Sequence, residues 1–197
     1  MRRQRRAVGV ASTLALAAAC AAAAQAAAAP AFDELLRLLA ARRHGHVAFT
    51  EVQQLAMLER PLQSSGELLY DAPDRLEKRT LKPKAQTLVL EHGVLTARRG
   101  QRTYVMELHE HPQVAPFVES IRATLAGDRA ALERSFRVQF DGTLAHWTLL
   151  LVPVDASLAG AVQDVRIEGE RDVIRTVQIR QSDGDTSLLT LGPEIPP

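Results

Sequence analysis

The residues able to do chemistry are few and scattered along the chain. His44-x-His46 and His109-x-His111 would each put two imidazoles on one side of an extended segment, a first step toward a metal site. No third ligand of suitable type stands at a diagnostic spacing, so no metal is expected. Ser64-Ser65-Gly66 offers hydroxyls, but not in the G-x-S-x-G elbow that an α/β-type serine hydrolase requires. Asp183 and Asp185 form a carboxylate pair, yet they flank Gly184 and match ordinary turn chemistry. The single cysteine, Cys20, excludes an intramolecular disulfide. Arg42-Arg43 and Arg98-Arg99 are basic pairs suited to an anionic bilayer, an acidic partner or plain solvent. No catalytic residue and no cofactor are expected, and a secreted hydrolase is the enzymatic alternative.

Composition points away from nucleic acid. The 197 residues carry a formal charge of +1, but four arginines lie in the first six residues and no acid precedes Asp33. Without residues 1–30 the chain has 20 basic and 23 acidic residues, about −3, with no clustered basic excess. Aromatics make up only 4%, so the core must be mainly aliphatic. The opening MRRQRRAVGVASTLALAAACAAAAQAAAAP has a cationic start, an apolar middle and a run of small residues. This is the layout of a secretory signal peptide over 1–29, cleaved around Ala26–Ala29. Its Ala-rich stretch is too weakly apolar for a permanent span. LAAAC, ending at Cys20, is an imperfect lipoprotein signal, so a lipid-anchored form is the alternative to a soluble exported one.

The elements that would position any site are mostly strands. In Phe136–Val152, Asp141-Gly142 signals a two-residue hairpin turn. That turn sets Phe140 against Thr143, Val138 against Ala145 and Phe136 against Trp147. Period two then gathers Phe136, Val138, Phe140, Trp147, Leu149 and Leu151 on one face. A first amphipathic helix carries Phe32, Leu35, Leu36, Leu38 and Leu39, ending at His44-Gly45. Strands are expected at 46–53, 63–70, 74–81, 86–91, 94–98, 103–108, 135–141, 144–152, 162–169, 172–181 and 186–191. Such a run of short strands and tight turns makes an antiparallel meander that curls into a barrel or part of one. Phe117, Val118, Ile121 and Leu125 interrupt it at helical spacing, stopped by Gly127-Asp128, and a further turn follows over 129–134. This insertion, with the first helix, would form a lid over the mouth. In a later hairpin turning at 169–171, Val165 and Ile167 share a face with Val173, Val177 and Ile179, with Arg175 among them.

Five stretches together resemble the LolA-like periplasmic lipoprotein carriers, and more closely the LolA-related branch of that family. They are FTEVQQLAMLERPLQSSGELLYDAPDRLEKRTLKPKAQTL (49–88), IRATLAGDRAALERSF (121–136), HWTLLLVPVD (146–155), IEGE (167–170) and SDGDTSLLTL (182–191). The resemblance implies one domain over 30–197. Its fold would be mainly β with helices (α+β), a curved antiparallel half-barrel of about eleven strands with a helical lid over a hydrophobic cavity. It implies a periplasmic carrier that shelters the acyl chains of a lipoprotein or lipid and moves them from the inner to the outer membrane. An inner-membrane transporter would be the donor and an outer-membrane receptor the acceptor. A monomer is expected, and an anchored acceptor or assembly factor through Cys20 is the alternative of the same fold. The expected lining is Phe136, Val138, Phe140, Trp147, Leu149, Leu151, Val165 and Ile167, with Phe117, Ile121 and Leu125 on the lid. Family carriers hold the lid with an Arg-Pro pair, whose place is taken here by Ala72-Pro73. Arg75 and Arg175 are the substitutes expected as a latch.

Overall fold

A computed structural model describes residues 31–111 and 115–196. The expected leader over 1–29, including Cys20, lies outside the described residues, as does the side chain of Phe117. Helix α1 spans 31–41. Six strands follow: β1 (His44–Gln54), β2 (Leu62–Asp71), β3 (Arg75–Lys82), β4 (Gln86–Glu91), β5 (Val94–Arg99) and β6 (Arg102–Glu107). Helices α2 (Ala115–Ala126) and α3 (Arg129–Ser135) lead to β7 (Phe136–Thr143) and β8 (His146–Pro153). A short α4 (Ala156–Ala159) precedes β9 (Val162–Glu170), β10 (Val173–Gln181) and β11 (Thr186–Glu194). All eleven strands form one sheet in the order β6-β5-β4-β3-β2-β1-β11-β10-β9-β8-β7. Two meanders are thus zipped together where β1 pairs antiparallel with β11. β6 and β7 stay as free edges, so the curved sheet is an open half-barrel, in agreement with the expected fold class.

Two registers differ from expectation. The β9–β10 turn falls at 171–172 and not 169–171, with Val173 opposite Glu170 and Val177 opposite Ile167, so Val173 leaves the face of Ile167. The β7–β8 turn falls at Leu144-Ala145, with Phe136 opposite Pro153, Val138 opposite Leu151, Phe140 opposite Leu149 and Gly142 opposite Trp147. Gly142 keeps its positive φ of 95°, but it uses it inside the strand. A Cβ there would lie 2.3 Å from the His146 carbonyl oxygen, so glycine serves the close approach of the two strands and not a turn. Phe136 now meets Pro153 instead of Trp147, a slip of six residues. Because six is even, the apolar set remains on its expected face.

The helices explain where the core sits. Phe32, Leu35, Leu36 and Leu39 form the buried stripe of α1, at i, i+3, i+4 and i+7. α2 ends in a Schellman motif, with Gly127 at φ 65° and the Asp128 N–H donating to the Ala123 carbonyl at 2.8 Å. A Cβ at Gly127 would lie 2.3 Å from the Leu36 carbonyl oxygen, so this cap is also where α1 crosses closest. The Asp128 carboxylate then accepts from the Ala131 N–H at 3.0 Å and caps α3. The α1 stripe and Leu132 of α3 pack with Phe136, Trp147, Leu149, Leu151, Val165 and Ile167, making one core over β7–β10.

Trp147 fixes the top of that core. Gly142 lies across from it on β7 and Gly169 on β9. The indole lies over Gly169, and its Nε1–H donates to the Arg171 carbonyl at 2.9 Å. A Cβ at Gly169 would stand 2.3 Å from Trp147 Cζ2 and 2.4 Å from the Val173 carbonyl oxygen. Gly169→Ala is therefore expected to destabilise by about 2–3 kcal/mol. Urea denaturation should show a lower midpoint at unchanged slope. Gly45→Ala, whose nearest atom is Tyr70 Cβ at 3.9 Å, should change little.

Candidate functional site

Antiparallel register decides which side chains share the inner face. One row runs Gly45, Tyr70, Leu76, Leu90 and Leu95 across β1 to β5. The next runs Val47, Leu68, Lys78, Leu88 and Ala97. No stripe like that of α1 covers this half of the sheet. Leu68, Leu76, Leu88 and Leu95 are only partly buried, and they line a cavity of about 820 Å³. Val118, Ile121 and Leu125 of α2 and Leu39 of α1 close it from above. Val177, Ile179, Leu189 and Leu191 continue the wall on β10 and β11. Its size falls in the range of roughly 300–1,000 Å³ typical of small-molecule sites.

The expected lining is divided between this cavity and the core. Ile121 and Leu125 face the cavity. Phe136, Trp147, Leu149, Leu151, Val165 and Ile167 are at most 2% exposed, lie within the packed core, and are not on the cavity wall. Val138 and Phe140 are partly buried against the same core, Phe140 with its ring centroid 6.0 Å from that of Phe32. The physical reason is α1, whose stripe fills the part of the face that those residues form.

A polar cluster sits in the apolar wall. Glu51 of β1 is 8% exposed and accepts four hydrogen bonds. Lys78 Nζ donates to Oε2 at 2.7 Å and Ser64 Oγ to the same oxygen at 3.0 Å. Ser187 Oγ donates to Oε1 at 2.9 Å and Gln53 Nε2 at 3.2 Å. Burial pushes the Glu51 carboxyl up, but Lys78 and the two serine hydroxyls outweigh it and hold the group below the usual carboxylate range. Lys78 Nζ also stands 5.0 Å from the Phe49 ring centroid, a cation–π contact.

The arginines are deployed differently from expectation. Arg75 bonds Glu77 at 2.8 Å and Glu91 at 2.9 Å, both on the sheet. Arg175 lies on the cavity wall and pairs with Glu170 of β9 at 3.1 Å. It is the extra residue of a bulge between Ile174 and Thr176, which turns it out of the apolar row. The residue that ties a helix to the sheet is Arg42, just past α1. Its Nη1 donates to Asp172 Oδ2 at 3.2 Å, and Nη2 pairs with Glu194 at the end of β11. On α2, Arg122 binds Glu119 through Nε at 2.8 Å and shares a cleft of about 300 Å³ with Pro73 and Asp74.

His44 and His46 are spoken for by carboxylates, at 2.8 Å from Asp71 and 3.1 Å from Glu67. Among the described residues no group of three or more His, Cys, Asp or Glu is placed to hold a metal ion. Sequence reasoning missed Glu51, Lys78, Arg42 and the Leu68–Leu76–Leu88 wall. The signal for the wall was available in the register across the turns at Pro73-Asp74 and Pro83-Lys84. For Arg42, whose partners Asp172 and Glu194 lie more than a hundred residues away, there was none; of the four Glu51 partners only Ser187 is that distant, and Ser64 and Lys78 come from β2 and β3.

The arrangement suits apolar chains, with the Glu51–Lys78 cluster in the wall and further polar groups such as Arg42, Asp172 and Arg175 at one side of the cavity. A family model described as outer membrane lipoprotein carrier protein LolA-like matches residues 12–193. Among solved structures, the LolA superfamily protein NE2245 from Nitrosomonas europaea is similar at 10% identity, covering 85% of this chain and 92% of that one, with a TM-score of 0.44. A putative outer membrane lipoprotein-sorting protein domain from Vibrio parahaemolyticus matches at 10% identity over 83% and 91%, TM-score 0.44. LprF from Mycobacterium bovis matches at 11% identity over 85% and 94%, TM-score 0.36. The comparison with curated proteins gives no match.

Glu51 holds its proton less readily folded than unfolded. The stability it contributes is full above the unfolded carboxyl pKa and is lost as pH falls through the lower folded value. Glu51→Gln should therefore flatten the acid limb of stability against pH. Lys78→Met, which strands the buried carboxylate, should destabilise by about 3 kcal/mol at neutral pH. Urea titrations across the acid range check both, and an acid limb unchanged in Glu51→Gln would refute the assignment.

Proposed function

The chain belongs to the family of LolA-like outer membrane lipoprotein carriers, and we propose that its cavity shelters the acyl chains of a lipoprotein or lipid during passage between inner and outer membranes. The observation that carries this reading is the half-covered apolar wall of β1–β5 under α2. Each CH₂ removed from water contributes about 0.8 kcal/mol, so ten methylenes bring about 8 kcal/mol. A wall of aliphatic side chains collects that energy without directional bonds and lets the chain slide out again when a better apolar site is offered. Export to the periplasm, an inner-membrane donor and an outer-membrane acceptor belong to this proposal. Among the described residues no helix is long and apolar enough to cross a membrane. The expected lining residues Phe136, Val138, Phe140, Trp147, Leu149, Leu151, Val165 and Ile167 serve in this reading as the packed core beside the cavity, while Ile121 and Leu125 of α2 form the cover.

Protein recovered from the periplasmic fraction is expected to carry an acylated species in native mass spectrometry, and to bind a fluorescent fatty-acyl probe. Leu76→Glu and Leu88→Glu each place a carboxylate in the wall and should weaken the probe by at least about tenfold, with far-UV circular dichroism unchanged. An empty protein that ignores the probe would overturn the proposal.

A further inference from the structure

In an antiparallel meander, alternate turns gather at the same end of the sheet. The loops 55–61, 83–85, 100–101 and 182–185 share one end, and the turns 72–74, 92–93 and 171–172 share the other. The two ends differ in how their charges are used. At the second end most charges are paired, Arg42 with Asp172 and Glu194, His44 with Asp71, and His92 with Asp74, while Arg43 and Arg171 are exposed and, among the described residues, without an ion pair. At the first end Arg60, Lys82, Lys84, Arg98, Arg99 and Arg102 are all exposed. Among the described residues none of these six has an ion pair. The acids in the loops of this end are Glu59, Asp183 and Asp185, with Asp155 in the 154–161 connection of β8 to β9. Asp155 accepts from the Leu158 N–H at 3.2 Å, and Asp183 and Asp185 accept from the N–H groups of Asp185 at 3.0 Å and Ala56 at 2.7 Å.

The same end is also greasy. Met57 is 86% exposed, and Leu58, Leu62 and Leu81 are 41%, 46% and 56% exposed. Met57 and Leu58 project from the loop 55–61, and Leu62 and Leu81 from the adjoining ends of β2 and β3, interleaved with the cations. Exposed apolar groups surrounded by unpaired cations match an interface where headgroup phosphates lie above acyl tails. The cavity wall reaches this end through Gln53, Gln181 and Ser187.

We propose that this end of the half-barrel docks on an anionic phospholipid bilayer, with Met57 and Leu58 entering the interface and the cations of the β3–β4 and β5–β6 turns meeting the phosphates. The docking stands apart from the acyl-binding reading, and supplies it with the membrane contact through which a chain would enter or leave.

The test is flotation of the protein recovered from the periplasmic fraction, with phosphatidylcholine vesicles and with vesicles containing phosphatidylglycerol, at low and high salt. Binding is expected only with phosphatidylglycerol and should fall with salt. Arg98→Glu/Arg99→Glu/Arg102→Glu should weaken it about a hundredfold, and Met57→Ser/Leu58→Ser about tenfold. Arg43→Glu at the opposite end should leave it unchanged. The acyl probe should bind all three variants as it binds the parent, which separates docking from the cavity. No binding to either vesicle, equal binding to both, or an unaffected triple variant would overturn the proposal. So would capture by soluble polyglutamate in the absence of vesicle binding, which would make the partner an acidic protein.

Discussion

A curved sheet has one concave face, and the rest of this structure depends on how that face is covered. α1 lays Phe32, Leu35, Leu36 and Leu39 against the β7–β10 side, where Leu149, Leu151 and Val165 are fully buried. The β1–β5 side receives no equivalent stripe. α2 spans it instead, with its cap at Gly127 pressed on α1, so its height above the sheet is set by the crossing with α1. The hydrophobic effect is thus satisfied over one half of the face and left incomplete over the other. An incomplete half costs stability relative to a filled core, and that unspent apolar area is what a ligand can bury.

The border between the two halves is chemically marked. Register places Phe140, Leu149, Ile167, Val177, Leu189, Glu51 and Ser64 in one continuous row across seven strands. Five apolar members are followed abruptly by a buried carboxylate. Its ligands come from β1, β2, β3 and β11, so the cluster stitches both meanders together at the seam where β1 meets β11. A buried ion pair is poor evidence of net stability. Its geometric effect is firmer, because a strand slipped by one residue would turn Glu51 to the other face and leave Lys78 alone.

Much of this was legible in the sequence, for reasons that particular residues make clear. Turn chemistry at Pro73, Pro83, Gly93 and Gly100 announced the strands, and β4 was expected at 86–91, where it lies. The misplaced turn at Asp141-Gly142 did no damage to the face assignment, since period two forgives an even slip. Alternation reveals which residues share a face. It says nothing of which part of the face a helix will cover, and this is why Trp147 and Leu149 were expected on a cavity wall while Leu68 and Leu76 were not. Arg175 escaped for a related reason, as one bulged residue reverses the alternation across it, so that Ile174 before the bulge and Val177 after it face the same way. Arg42 was invisible because its partners Asp172 and Glu194 come from the far end of the chain, and the Glu51 cluster is completed only by Ser187, which the β1–β11 pairing brings near.

The wall's chemistry bears on selectivity. Among the described residues no buried side-chain nitrogen or oxygen lacks a hydrogen-bond partner. Glu51 accepts four hydrogen bonds from within the protein, so this carboxylate does not wait in the cavity for one particular headgroup to satisfy it. A site built to hydrogen-bond its ligand rejects analogues strongly, because its own groups are left unpaired; an aliphatic wall discriminates by little more than length and volume. On the proposed function, the cavity selects for apolar chains as a class, and discrimination among cargoes that all carry such chains falls to surfaces outside it. The end of the sheet where Arg98, Arg99 and Arg102 stand exposed without ion pairs among the described residues is such a surface, and on that reading recognition sits at the rim and capacity in the trough.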